Sequence, residues 1–143
     1  SIDQEDLRLF INSENSIFQC LQKNNNLVAT TLIPKIDQQD DIFYLEILDC
    51  EFGPDSNFGT FKVASDYFYN LLNEYSISYK ADFLNSDSSS RNFYWHNFFN
   101  SSTDRDNFYA SWIDSDDSIE IKDLFSDQSE CFSSNSYIGY KVF

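Results

Sequence analysis

Three glycines and two prolines are all that 143 residues contain, and this scarcity removes whole classes of chemistry. Gly53, Gly59 and Gly139 are too scattered for GxGxxG or GxxxxGK[ST], so no glycine-rich loop can cradle a phosphate. A single histidine, His96, rules out HExxH and the His-rich zinc sites. It lies in FYWHNFF, where an imidazole in an aromatic cluster reads as packing, so pairing with a cysteine nucleophile is not expected. Methionine is absent, and the chain opens at Ser1 without a signal-peptide pattern. No stretch approaches the roughly 18 consecutive apolar residues of a membrane helix. The three cysteines, Cys20, Cys50 and Cys131, are spaced too widely for CxxC pairs, and their odd number suits buried reduced thiols. A soluble protein of the cytoplasm is the expectation.

Basic residues are the other shortage. Nine Lys and Arg face 24 Asp and Glu, leaving a net charge of −15 and a pI near 4.1. Such a field repels nucleic acid and anionic membranes and attracts basic proteins. What the chain has in quantity is aromatic: 15 Phe, 9 Tyr and 2 Trp, far more than disordered acidic chains carry. A core built on Phe and Tyr is expected. The length suits one domain over 1–143.

Patterning predicts α+β. Leu7, Phe10, Ile11, Ile17, Phe18 and Leu21 recur at helical spacing, giving an N-terminal helix over 3–23 that stops at Asn24-Asn25-Asn26. Strands are expected over 27–33, ended by Pro34, over 42–48, and over 58–63, where Phe61 and Val63 alternate with Thr60 and Lys62. These three would form an antiparallel meander. Ser65 is the expected N-cap of a helix over 66–75. A strand over 77–84 follows, with Ile77, Tyr79, Ala81 and Phe83 on one face, then a Ser-rich loop over 85–91. The segment 93–99 is apolar on all sides and fits helix or strand. A helix is expected over 103–113 and a last strand over 137–143, while 118–124 stays ambiguous. The sum is a mainly antiparallel sheet of about five strands with about three helices.

Two acidic clusters stand out. Between 37 and 55 lie Asp37, Asp40, Asp41, Glu46, Asp49, Glu51 and Asp55 without a Lys or Arg. Between 104 and 130 nine acids, among them Asp114, Asp116, Asp117, Glu120 and Asp123, face only Arg105 and Lys122. The second cluster does not make a calcium loop. Counting from Asp114, loop position 6 is Ile119 instead of Gly, and position 12 is Phe125 instead of Glu. Seventeen of the 24 acids are Asp, a residue of caps and turns, which predicts charge on loop rims and helix ends instead of along helical stripes. Tyr44, Tyr94, Trp95 and Trp112 are the candidate aromatic anchors beside these acids.

These features point to a binding protein without cofactor, metal or catalytic residues. Its expected partner is a basic protein, and the expected contacts are the acids just named, except Glu46, with the four aromatics. Small acidic α+β proteins that confer immunity to bacterial toxins have this general character, so inhibition of a nuclease-type toxin is the leading expectation. A phage-type nucleic-acid mimic is the alternative; it would carry carboxylates along one face at phosphate-like intervals. A small enzyme or ligand-binding domain is the third, and would show a deep pocket lined by His96 and buried carboxyls.

Overall fold

Alternation in the segment 92–99 organises the molecule. Phe93, Trp95, Asn97 and Phe99 are buried, while Tyr94, His96 and Phe98 between them are turned to the other side. A period of two identifies a strand, which settles the ambiguity of this run. The computed structural model describes residues 27–34, 41–75, 78–87 and 89–140. In chain order these form β1 (Val28–Pro34), β2 (Ile42–Phe52), α1 (Phe58–Leu72), β3 (Lys80–Asn85), β4 (Asn92–Phe99), α2 (Ser102–Trp112), α3 (Asp116–Gln128) and β5 (Ser129–Tyr140). The fold is mixed α+β, with one five-stranded antiparallel sheet ordered β1-β3-β4-β2-β5. The expected helix over 3–23 lies outside the described residues.

Helices cover one face of the sheet. The inward rings of the strands meet those of α1 and α2: Phe61 lies 5.0 Å from Phe93 and 5.3 Å from Trp95, and Phe99 lies 5.5 Å from Phe108. Phe52, Phe83 and Phe93 stack at the centre, with Phe52–Phe93 and Phe83–Phe93 centroids 4.6 and 4.8 Å apart. Ring pairs at these separations add about 0.5–1.5 kcal/mol each beyond the area they bury. On the opposite face Phe43, Leu45 and Ile47 of β2 and Phe98 of β4 are only half-buried, and no described helix packs there.

Residues 58–63 are not a strand. Asn57 caps α1: its Oδ1 accepts from the backbone N–H of Gly59 at 2.8 Å and of Thr60 at 3.2 Å, and Thr60 Oγ1 accepts from Asn57 N–H at 3.1 Å. This reciprocal box satisfies donors that an uncapped helix start leaves unpaired. Phe61, Ser65, Phe68 and Leu72 then share the buried side at helical spacing, and Val63, assigned inward by the alternation, is 70% exposed. Ser65 is therefore no cap. It sits buried in mid-helix, and its Oγ donates to the carbonyl of Phe61. Because α1 intervenes, the expected meander does not form: β3 and β4 separate β1 from β2.

The segments 102–112 and 116–128 are helices with serine caps. Ser101 Oγ accepts from Asp104 N–H at 3.1 Å, and Ser115 Oγ from Ser118 N–H at 3.2 Å. Only the end of β5 was expected. Its first eight residues, SECFSSNS, carry no apolar alternation, because β5 is an edge strand held by backbone pairing to β2. That pairing sets Cys50 opposite Cys131, and the two are joined in a disulfide. The expectation of reduced thiols fails for this pair. Cys20 lies outside the described residues. No described helix is long and apolar enough to cross a membrane.

Candidate functional site

The acidic segment after α2 becomes a striped helix. Ser118 and Ile121 face the core, with Phe125 half-buried below them, so Asp116, Glu120, Asp123 and Asp127 line up on the solvent side at i, i+4, i+7 and i+11. The stripe is about 16 Å long at 1.5 Å per residue. This corrects the expectation that short acids would keep to loop rims. Asp serves here twice, as favourable charge in the first turn of a helix dipole and as the exposed phase of an amphipathic pattern. No ion pair engages these four carboxylates among the described residues.

Tyr67 of α1 and Tyr75 in the turn that follows it tether this helix. Tyr67 Oη donates to Glu120 at 3.0 Å and Tyr75 Oη to Asp117 at 2.8 Å. The carboxylate of Glu120 accepting its proton holds the Tyr67 phenol above its ordinary pKa. Between α1 and α3 runs a groove of about 540 Å³ with Val63, Ala64, Tyr67 and Leu124 in its floor and Glu120 on its rim. Asp66 is exposed on the α1 side, paired with Lys62 at 2.6 Å. An apolar floor under a carboxylate rim receives the stem of a Lys or Arg together with its charged head.

The candidate contact residues do not come together as one surface. Asp114, Asp116, Glu120 and Asp123 are exposed at or along α3, and Asp117 is half-buried beside Tyr75. Asp49 and Glu51 alternate with the buried Cys50 and Phe52, so they project from the sheet face opposite the helices. Asp41 precedes β2 and Asp55 follows it in a turn, both exposed; Asp37 and Asp40 lie outside the described residues. Tyr94 is 38% exposed on the open sheet face, and Tyr44 packs half-buried against the core. Trp95 and Trp112 are not surface anchors. Each is 7% exposed, Trp95 on the inward phase of β4 and Trp112 stacked on Phe68 at 5.0 Å. The groove residues Val63 and Tyr67 were missed. Their i, i+4 spacing, opposite in phase to Phe61 and Phe68, was the available signal, masked by the strand assignment.

His96 also stands on the open face, cross-strand from the buried Asp82, and is not among the residues that line the cavity beneath the helices. Burial pushes its pKa below the ordinary 6.5, opposed by the cross-strand carboxylate of Asp82 and aided by Lys80. The unfolded chain therefore binds this proton at higher pH than the folded one. Stability contributed by neutral His96 is complete above about 6.5 and falls as pH drops toward the folded midpoint. An NMR titration should place the imidazole midpoint below 6.5, and one at or above that value contradicts the burial argument.

Among the described residues no three His, Cys, Asp or Glu side chains gather closely enough to hold a metal ion. The chain matches no protein-family model, and no characterised protein or solved structure shows significant similarity to it.

Proposed function

We propose that the protein is an acidic inhibitor that neutralises a basic partner by laying the α3 stripe and the α1–α3 groove against a Lys- and Arg-rich cleft. The observation that carries this reading is the row Asp116, Glu120, Asp123 and Asp127, exposed on one helix face with no ion pair to any of them among the described residues. Like-charged carboxylates on one face repel each other, and a basic partner removes that cost while gaining fast, steered association. A nuclease-type toxin with a phosphate-binding cleft is the partner class that fits, with this protein as its immunity factor. The Cys50–Cys131 bond supports an oxidising compartment for the encounter in place of the cytoplasm expected from the sequence.

The stripe also favours the second reading, nucleic-acid mimicry. Neighbouring acids on it are separated by about 5–6 Å, close to the step between phosphates on one strand. Affinity capture at low and high salt tests the interface. Wild type and a D49N/E51Q variant are expected to retain a basic protein at low salt and release it at high salt. A D116N/E120Q/D123N/D127N variant is expected to bind at least tenfold more weakly. Release of the partner by duplex DNA or RNA marks a nucleic-acid cleft. Equal capture by the α3 variant, or no basic protein at all, removes the proposal.

A further inference from the structure

A second site lies inside the molecule, between the sheet and the corner where α2 meets α3. There a cavity of about 330 Å³ is walled by Leu48, Phe61, Trp95, Phe108, Trp112 and Phe125. Its lining also includes Ile113, Lys122 and Cys131, which are exposed, so the cavity communicates with solvent on their side. We propose that this cavity binds a small uncharged molecule with an aromatic or similarly apolar body and one hydrogen-bond acceptor.

The size sets the body. A space of this volume equals about ten water molecules and falls at the lower end of small-molecule sites, enough for one or two fused rings. Its walls are rings and aliphatic carbon, so filling it with apolar matter restores dispersion contacts that an empty space forfeits.

The acceptor is set by Asn97, which lines the cavity and is 5% exposed. Its Oδ1 accepts from Tyr79 Oη, which leaves its Nδ2 as the amide atom not engaged by that bond. An amide donor that lines the cavity offers a hydrogen bond to a carbonyl oxygen bound there.

Charge on the ligand is disfavoured twice. The protein's net −15 repels anions from the mouth, and the aromatic wall penalises any ion that enters. Lys122, the cation at the rim, points its Nζ toward the Ile113 carbonyl at 3.5 Å.

The probe is 6-propionyl-2-(dimethylamino)naphthalene, an uncharged two-ring ketone whose emission shifts to the blue in apolar surroundings. Titration should saturate at one site per chain, and 2-ethylnaphthalene, which lacks the carbonyl, should compete at least tenfold less well. Leu48→Trp, which fills the cavity, should lower the probe's affinity at least tenfold, while Ile47→Trp on the open sheet face leaves it unchanged. Asn97→Leu should weaken the ketone about tenfold and leave 2-ethylnaphthalene unaffected, with thermal melts confirming that each variant folds. Binding that survives Leu48→Trp, or that is lost with Ile47→Trp, places the dye elsewhere and overturns the proposal. So does equal affinity for the two naphthalenes, or no saturable binding to the wild-type chain.

Discussion

Opening the Cys50–Cys131 bond is expected to lower the unfolding free energy by about 4 kcal/mol. The bond closes a loop spanning 81 positions of sequence, and cross-linking a loop of that size removes about 4.5 kcal/mol of conformational freedom from the unfolded chain. The folded chain gives little of this back, because β2 and β5 are already paired in a register that sets the two cysteines opposite each other. Cys131→Ser, compared with wild type in urea without reductant, should show the loss directly, and the melting temperature should fall by about 10 °C. Adding reductant should bring wild type down to the variant and leave the variant unmoved. With three cysteines in the chain, the unreduced, denatured protein should expose a single titratable thiol. Three free thiols, or identical midpoints with and without reductant, would show that the bond does not form. The β5 edge would then be held by backbone pairing alone.

That bond marks a limit of what the residues disclose. The spacing of Cys50 and Cys131 says nothing of their pairing, because the pairing is created by the β2–β5 register, and most of β5 is invisible to patterning. An edge strand with small polar side chains owes its place to its neighbour's free backbone groups, which no periodicity records. Positions that bury one face were legible in β2 and β3 and in the helix over Ser102–Trp112, whereas β1 was found by its apolar run although only Leu32 and Ile33 of it are buried. The error at 58–63 has a definite origin. Four residues of chance alternation outweighed Asn57 and Thr60, whose capping box is the stronger local signal. That one misassignment hid the groove, since Val63 and Tyr67 line it only when α1 begins at Phe58. The acidic helix was visible in composition, but its stripe depended on settling 118–124 as helix. Trp95 and Trp112 were misplaced because their neighbours in sequence are polar or exposed while their own phase points inward.

Arg105→Leu is expected to cost about 3 kcal/mol, and its partner substitution to return most of it. Glu46 stands on β2 beneath α2, 3% exposed, with Arg105 Nε donating to its Oε1 at 2.6 Å and Tyr109 Oη to its Oε2 at 3.1 Å. Glu46 in turn holds the guanidinium more firmly protonated than usual, and Arg105 lies 4.6 Å over the Tyr109 ring. Removing the arginine leaves a carboxylate among apolar groups with one neutral donor. Breaking a buried pair from one side costs about 3–5 kcal/mol, and the lower end applies because Arg105 itself is partly open to water. Exchanging both partners for leucine removes the stranded charge, and such replacements are often neutral. The double variant Glu46→Leu/Arg105→Leu should therefore unfold at a higher urea concentration than Arg105→Leu alone. A double-mutant cycle reads the coupling directly, because each single change leaves the other partner unmet. A single-variant loss under about 1 kcal/mol would mean that water reaches Glu46. Attachment of α2 would then rest on Phe108 and Trp112, with the ion pair only fixing how the helix is turned on the sheet.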